Sequence, residues 1–465
     1  MVIVGILLVA FFIRLVGITQ SFWLDEAAQM IESVRPLAQQ LAIAGDFQPP
    51  LFHLLLHFWL QISHTEVWAR LLPIIFGLLT VYLTYKVGVA LYSRSVAVVA
   101  ALFMATAPFH YYYSQEVRPY ALAALLGLVS SHLLLQRKMR LYTVAIILFV
   151  YTTYLAPFLL LAQGVWLLVS HRQQFQSWVK SMVIVVLAFL PWLPAFLEQL
   201  GIGTSLTTTL PGWSEAVSTP LSKALPLTAA KFFLGHISIA DDFLYAALVS
   251  SLVAFLGYGI WRLWLQDKQK TKTVLLFGAM PIISAFLFSF LLPVFAPQRL
   301  LFCLPFFYLA LAAMAQNFGR LRLLIVLGLL ALNLTAITSF AIGPQFQREQ
   351  WRQAVQFVEV DTNGDSIAVF SFPEAFAPWL WYSRELVPVV AVAPEFRVTA
   401  QSLQTRQTLI SGRERVYYFH YLSDLTDPDK LVPGFLQDLG FVNIETKDFP
   451  GVGFISIYEK ILVSR

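Results

Sequence analysis

Eleven apolar runs constrain this chain more than any other feature in it. They fall near 2–20, 67–91, 95–113, 118–135, 141–156, 157–170, 179–197, 243–265, 274–295, 300–316 and 321–341. Most approach the ~20 residues that cross about 30 Å of hydrocarbon as a helix. Lipid offers no water to backbone N–H and C=O groups, so such runs must satisfy those groups internally. With 58% hydrophobic and 12% charged residues and a mean hydropathy of +0.70, the chain is excluded from the soluble monomers. The runs on either side of Ala156-Pro157 could form one broken unit. The first run lacks a basic start and a small-residue cleavage site, so it reads as a retained span.

Charge gives the orientation. Lys and Arg collect on every second connection: Arg94; Arg137, Lys138 and Arg140; Arg172 and Lys180; Arg262, Lys268, Lys270 and Lys272; Arg320 and Arg322. The other connections carry acids, among them Asp25, Glu26, Glu32, Asp46, Glu66, Glu116, Glu198, Glu215, Asp241 and Asp242. Positive loops face the cytoplasm, so the N-terminus is expected inside and the acid-bearing loops outside. The net charge of +5 comes from these scattered clusters rather than from one basic face, so no nucleic-acid partner is expected. Cys303, the single cysteine, lies in an apolar run and can form no intramolecular disulfide.

After Ile342 the pattern changes. Gln350–Val360 has helical periodicity, and SIAVFSF, LVPVVAV, RVYYFHY and GFISIYE read as strands separated by turns at Asn363-Gly364-Asp365 and Pro428-Asp429. We therefore expect a membrane domain over 1–342 and an extracytoplasmic α/β domain over 343–465.

The acids are concentrated in the first outer loop, 21–66, which carries helical patterns over Asp25–Ile43 and Leu51–Ile62. Its FWLDEA stretch places Asp25 and Glu26 side by side just beyond the first span, where carboxylates can stay ionised; acids also simply favour a first helical turn. Pro49-Pro50 stiffens the chain and would hold Asp46 and Gln48 at a fixed elbow before a new helix, either to position a substrate or as an ordinary turn. His53 and His57 have the i, i+4 spacing of metal ligands but lack the glutamate of HExxH; half-polar side chains at a water edge explain them as well. The second outer loop, HYYYSQEVRPY, brings Glu116 and Arg118 among tyrosines of the kind found in interfacial belts. Arg299, in VFAPQRLLFCLP, is a lone outer cation suited to snorkelling or to gripping a phosphate. The tail's QREQWR reads as a packing motif at a helix start. We find no phosphate-cradling glycine loop, Ser-His-Asp arrangement or CxxC pair.

FFIRLVGITQSFWLDEAAQ, GDFQPPLFHLLLHFWLQ, EVWARLLPIIFGLLTV and APFHYYYSQEVRPYALAALL, in this order, resemble successive blocks of bacterial GT-C membrane glycosyltransferases related to protein O-mannosyltransferases and aminoarabinose transferases. The resemblance is close over roughly the first 135 residues and looser through PQRLLFCLP and the tail. It implies a polytopic helical bundle at the plasma (inner) membrane that moves a hexosyl or pentosyl group, with inversion, from a polyprenyl-phosphate donor to a lipid, glycan or protein acceptor. By that resemblance Asp25 is the catalytic acid/base position, Glu26 and Glu116 are supporting acids, and Arg118 and Arg299 bind the donor phosphate. A divalent cation, Mg or Mn, is allowed, with Asp25 and Glu116 as its candidate ligands. The family often has His before the paired prolines; here Gln48 stands there.

The residues support the same chemistry. A carboxylate to take the acceptor proton and cations to receive the departing phosphate are what such a transfer needs, and inversion needs only one such base. Two other readings use the same features: a transporter or lipid flippase, which would place its charges at mid-bilayer on broken helices, and an envelope scaffold, for which Asp25 would be dispensable.

Overall fold

The computed structural model of the protein describes all residues except 41–46, 210–217, 363, 374–375, 394–396 and 461–465. It divides into two compact units, one comprising Met1–Ile18, Glu32–Thr207 and Trp213–Ile342, the other Thr19–Ile31, Thr208–Gly212 and Gly343–Arg465.

The first unit is helical. Six helices among the described residues are long and apolar enough to cross a membrane, and Val2–Leu15, Arg94–Ala105, Tyr120–Leu135, Met139–Val150 and Ala156–Ser170 are shorter apolar helices. Each of the eleven apolar runs falls on one of these helices. The runs flanking Ala156-Pro157 are separate, because Pro157 sits near the start of its helix, where a missing N–H costs nothing. In chain order α1 is Val2–Leu15, α2 Leu24–Val34, α3 Leu51–Trp59, α4 Glu66–Leu91, α5 Arg94–Ala105, α6 Pro108–Tyr113 and α7 Tyr120–Leu135. The Pro297–Gln316 segment is central, 83% of its apolar window being buried against 11% for Asp242–Gln266.

Small residues let helices approach closely. A Cβ on Gly88 of α4 would stand 2.8 Å from the Ala97 Cα of α5, and one on Gly127 of α7 would stand 2.9 Å from Phe302. Polar side chains bond across the apolar interior: Tyr142 donates to Gln163 Oε1 (2.8 Å), and Gln163 donates in turn to Ser130 (3.0 Å) and Ser131 (3.1 Å). Arg14, fully buried in α1, donates to the carbonyls of Ala10 and Ala105, both at 3.0 Å, and to Nδ1 of His110 at 2.8 Å. A guanidinium has no acceptor, so that imidazole nitrogen carries the lone pair.

The helix expected to run to Ile43 stops at Val34 and is followed by a 3-10 turn at Leu37–Gln39. Pro36 is the reason, since it lacks an N–H and disfavours helix at Arg35. Gln40 Nε2 closes the end by donating to the carbonyls of Arg35 (2.8 Å) and Glu32 (2.9 Å).

The second unit is built on a five-stranded sheet. The strands are β1 Ser366–Phe370, β2 Val389–Ala391, β3 Arg415–Phe419, β4 Phe441–Phe449 and β5 Gly453–Lys460, in the order β2-β1-β3-β5-β4. β1 is parallel to β2 and β3; β5 is antiparallel to β3 and β4. Alternate side chains serve two cores. Ala368, Phe370, Tyr417, Phe419, Ile455 and Ile457 face Trp351, Ala354, Val355 and Val358 of the helix Trp351–Asp361. Ile367, Val369, Val416, Tyr418 and Tyr458 face Leu403, Ile410, Val432 and Leu436. The expected strands are all present. The sequence reading missed β4, an edge strand whose FVNIETKDF is mostly exposed and carries Glu445, Lys447 and Asp448, charges of the kind that keep an edge from further pairing.

Candidate active site

FWLDEA lies in the second unit. Asp25 and Glu26 occupy the first turn of α2, where acids meet the positive end of the helix dipole. The residues leading into that turn are laid against the tail. Ser21 Oγ donates to the Glu349 carbonyl (2.6 Å), the Phe22 amide donates to Tyr382 Oη (2.6 Å), and the Phe22 ring meets Trp381 edge-on at 5.9 Å. The Arg348 amide donates to Gln20 Oε1 (3.1 Å), and Arg352 donates to the Thr19 carbonyl (2.6 Å).

The paired acids have different surroundings. Glu26 is fully buried and its Oε2 lies 3.2 Å from Arg348 Nη1, the two side chains being 0% and 4% exposed. Asp25 is half-buried. In the same unit is Glu349, whose carboxylate accepts from Trp351 Nε1 (2.6 Å) and Tyr421 Oη (3.1 Å). Burial pushes the Glu349 carboxyl up to about 7; these hydrogen bonds pull against the rise and the charge of Asp25 adds to it. Arg348, Glu349 and Tyr421 escaped the sequence reading because nothing local marks them. Arg348 and Glu349 meet residues more than 300 positions away, Glu26 and Ser21, and Tyr421 meets Glu349.

Glu349 has a consequence for stability. Its ordinary value is 4.5, so between pH 4.5 and about 7 the unfolded chain has lost a proton that the folded chain retains. The group's contribution is complete below pH 4.5 and is lost as pH rises to about 7. Each tenfold change in proton affinity is worth about 1.4 kcal/mol, and residual solvent contact reduces the total to on the order of 2 kcal/mol. Thermal melts of wild type and Glu349→Gln should therefore converge at low pH and separate toward pH 7.5, with the wild type the less stable; parallel pH curves would refute the assignment.

The remaining sequence candidates lie in the first unit. Glu116 and Arg118 are buried in the turn between α6 and α7, where the Arg118 amide donates to the Glu116 carbonyl at 2.7 Å. The turn is pinned to the end of α1: Gln115 Nε2 donates to the carbonyls of Arg14 and Val16, both at 2.7 Å, and Tyr111 Oη donates to that of Val16 at 2.9 Å. Arg70 secures Ile18 in the same way at 2.9 Å. The tyrosines here are not an exposed belt. Tyr111 and Tyr113 are buried, and the rings of Tyr112, Tyr113 and Phe109 lie 4.0, 5.4 and 5.6 Å from that of His236.

Arg299 is half-buried on a 3-10 turn, Pro297–Cys303, and donates to the Val294 carbonyl at 3.1 Å. Pro49 and Pro50 are buried and α3 starts directly after them. The Gln48 carbonyl accepts from Gln199 Nε2 (3.4 Å), whose Oε1 accepts from Tyr154 (2.6 Å). Asp46 lies outside the described residues. His57 Nδ1 is 2.8 Å from the Ser33 carbonyl, and His53 is buried. Among the described residues no three His, Cys, Asp or Glu side chains form a group that could hold a metal. Asp25 and Glu116, the candidate ligands, belong to different units.

No family model and no curated protein matches this chain. Solved structures do. ArnT from Cupriavidus metallidurans bound to undecaprenyl phosphate superposes with a TM-score of 0.58 at 11% identity, over 99% of this chain and 98% of that one. Its apo structure gives 0.57 at 11% identity, over 98% and 97%. The Archaeoglobus fulgidus oligosaccharyltransferase in complex with Zn and sulfate gives 0.58 at 13% identity, over 98% of this chain and 73% of that one. The fold is GT-C. The expected architecture, a polytopic helical membrane bundle followed by a C-terminal α/β domain, is thus borne out. At these identities the likeness is one of fold.

Proposed function

We propose that this chain is an inverting glycosyltransferase that moves a sugar from a polyprenyl-phosphate donor to an acceptor hydroxyl at the extracytoplasmic face of the membrane. The observation that carries the reading is the division of labour in FWLDEA on a GT-C fold. In the first turn of α2 Glu26 is fully buried against Arg348 and Asp25 is half-buried, and Asp25 is the carboxylate assigned here to the chemistry. The neighbours' ligands favour the donor class, since an ArnT structure holds undecaprenyl phosphate.

In this scheme Asp25 takes the proton of the acceptor hydroxyl as its oxygen bonds the anomeric carbon. The bond from that carbon to the phosphate oxygen breaks, and the polyprenyl phosphate leaves with the electron pair. Arg299 and Arg118 receive the phosphate charge, for which a guanidinium fork is suited, and Glu116 orients Arg118. The loop charges favour a cytoplasmic N-terminus and an extracytoplasmic tail.

The test is turnover by purified wild-type protein given polyprenyl-phosphate sugars, hexosyl and pentosyl, and a panel of lipid, glycan and peptide acceptors. Sugar transfer matched by release of polyprenyl phosphate is expected. Folded protein that neither binds nor turns over any donor would instead favour a transporter or flippase.

A further inference from the structure

We propose that the basic end of the membrane bundle carries a headgroup site for an anionic phospholipid, set between three connections of the chain and separate from the transfer chemistry.

A cavity of about 300 Å³ lies between the turn that joins α4 to α5, the junction of the helices Asp242–Gln266 and Lys268–Gly278, and the end of the helix Leu304–Gln316. These are three of the connections on which Lys and Arg collect, and loop charge assigns them to the cytoplasmic side. The helix Asp242–Gln266 is held close to Leu304–Gln316 at Gly259, where a Cβ would overlap the Met314 side chain. Val96, Leu263 and Ala313, one from each helix, give the cavity its apolar lining. Its polar lining comes from the helix ends and connections: Tyr92, Ser93, Asp267, Lys270, Gln316 and Asn317. Apolar toward the helices and polar toward the loops is the order in which a lipid presents its glycerol and its headgroup.

The cations stand around this lining. Lys270 is part of it. Arg94 follows Ser93 in the chain, Arg322 Nη1 lies 3.5 Å from Gln316 Oε1, and Arg262 lies 5.3 Å from the ring centre of Phe318, the residue after Asn317. Asp267 is the one acid among the described lining residues, and it is engaged locally: its Oδ2 is 3.1 Å from Lys270 Nζ and its Oδ1 accepts the Lys270 amide at 3.0 Å. A basic pocket between membrane helices on this side selects phosphate headgroups, and guanidinium forks suit phosphate oxygens.

Tyr92 supplies a donor. Its hydroxyl is buried and has no hydrogen-bond partner among the described residues, and a phenol at neutral pH has a proton to give. A buried donor left unpaired is costly, and a phosphate oxygen answers it. Ser93 caps α5 by accepting the Val96 amide at 3.3 Å, which leaves its O–H to donate. The helix that gains most is Asp242–Gln266, of whose apolar window 11% is buried, the smallest share among the six long apolar helices. A headgroup seated at its end ties it to the α4–α5 turn.

The test uses the full-length protein, delipidated in detergent and titrated with short-chain phosphatidylglycerol, phosphatidylethanolamine and phosphatidylcholine, with inorganic phosphate and glycerol 3-phosphate as soluble anions. Thermal melts and native mass spectrometry read binding, and hydrogen exchange locates it. Phosphatidylglycerol should bind saturably, raise the melting temperature by mass action and slow exchange in peptides covering 92–96, 262–272 and 313–322. Lys270→Gln should weaken that binding at least about tenfold, and Tyr92→Phe, which deletes a single hydroxyl, about three- to tenfold. Arg172→Gln, on another basic connection, should bind like wild type. Without lipid, Tyr92→Phe should melt no lower than wild type, because only an unpartnered hydroxyl has gone. Zwitterionic lipids that bind as tightly as phosphatidylglycerol, or an Arg172→Gln variant weakened as much as Lys270→Gln, would overturn the site. Soluble phosphates that reproduce the full shift would overturn the lipid as its occupant.

Discussion

Asp25→Asn is expected to lower turnover by about 10²–10⁴-fold, the range that a positioned general base contributes, while donor affinity stays within about twofold. The substitution is nearly isosteric, so the first turn of α2 should keep its shape. Asp25 is half-buried and does not belong to either hydrophobic core of the second unit, so the melting temperature should move little. The donor phosphate is assigned to Arg299 and Arg118, which the change leaves alone, and this is why binding and turnover should separate. Titration of a fluorescent polyprenyl-phosphate sugar alongside single-turnover transfer measures both. Full activity in Asp25→Asn would transfer the role of base to another carboxylate, with Glu116 the first to examine.

The second large effect is on stability. Glu26 and Arg348 form an ion pair with exposures of 0% and 4%, and removing one member of such a pair takes its compensation away from a buried charge. Glu26→Gln and Arg348→Met should each cost roughly 3–5 kcal/mol. The double variant should be considerably more stable than either single one, because no net charge remains buried; a coupling of that sign is the signature of direct interaction. Thermal melts of the four proteins in one detergent measure it. If Glu26→Gln melts like wild type but is inactive, Glu26 takes part in the chemistry and the structural role assigned to it is wrong.

The parts of this molecule that could be read from its sequence are those with local causes. Each apolar run became a helix because an apolar segment of that length has one way to satisfy its backbone. The central strands β1, β3 and β5 announced themselves through apolar and aromatic residues that the sheet buries. β4 did not, because an edge strand needs polar residues to stay an edge. The acids and arginines could be singled out by their place in loops. Arg14 could be noticed as a charge within an apolar run, but not its partners: the carbonyls of Ala10 and Ala105 carry no sequence signature, and nothing selects His110 from among eight histidines. The same holds for Arg348 and Glu349. QREQWR looks like any helix start until the chain's first loop is folded against it.

The assignment of Thr19–Ile31 to the unit built on the tail bears on how such a protein can be rebuilt or recombined. A gene boundary drawn at Ile342 looks like a clean joint between modules, yet it would sever Glu26 from Arg348 and Ser21 from Glu349. A chimera that borrows a tail from a relative must import the matching FWLDEA stretch with it. Two neighbourhoods at opposite ends of the gene are inherited as one part.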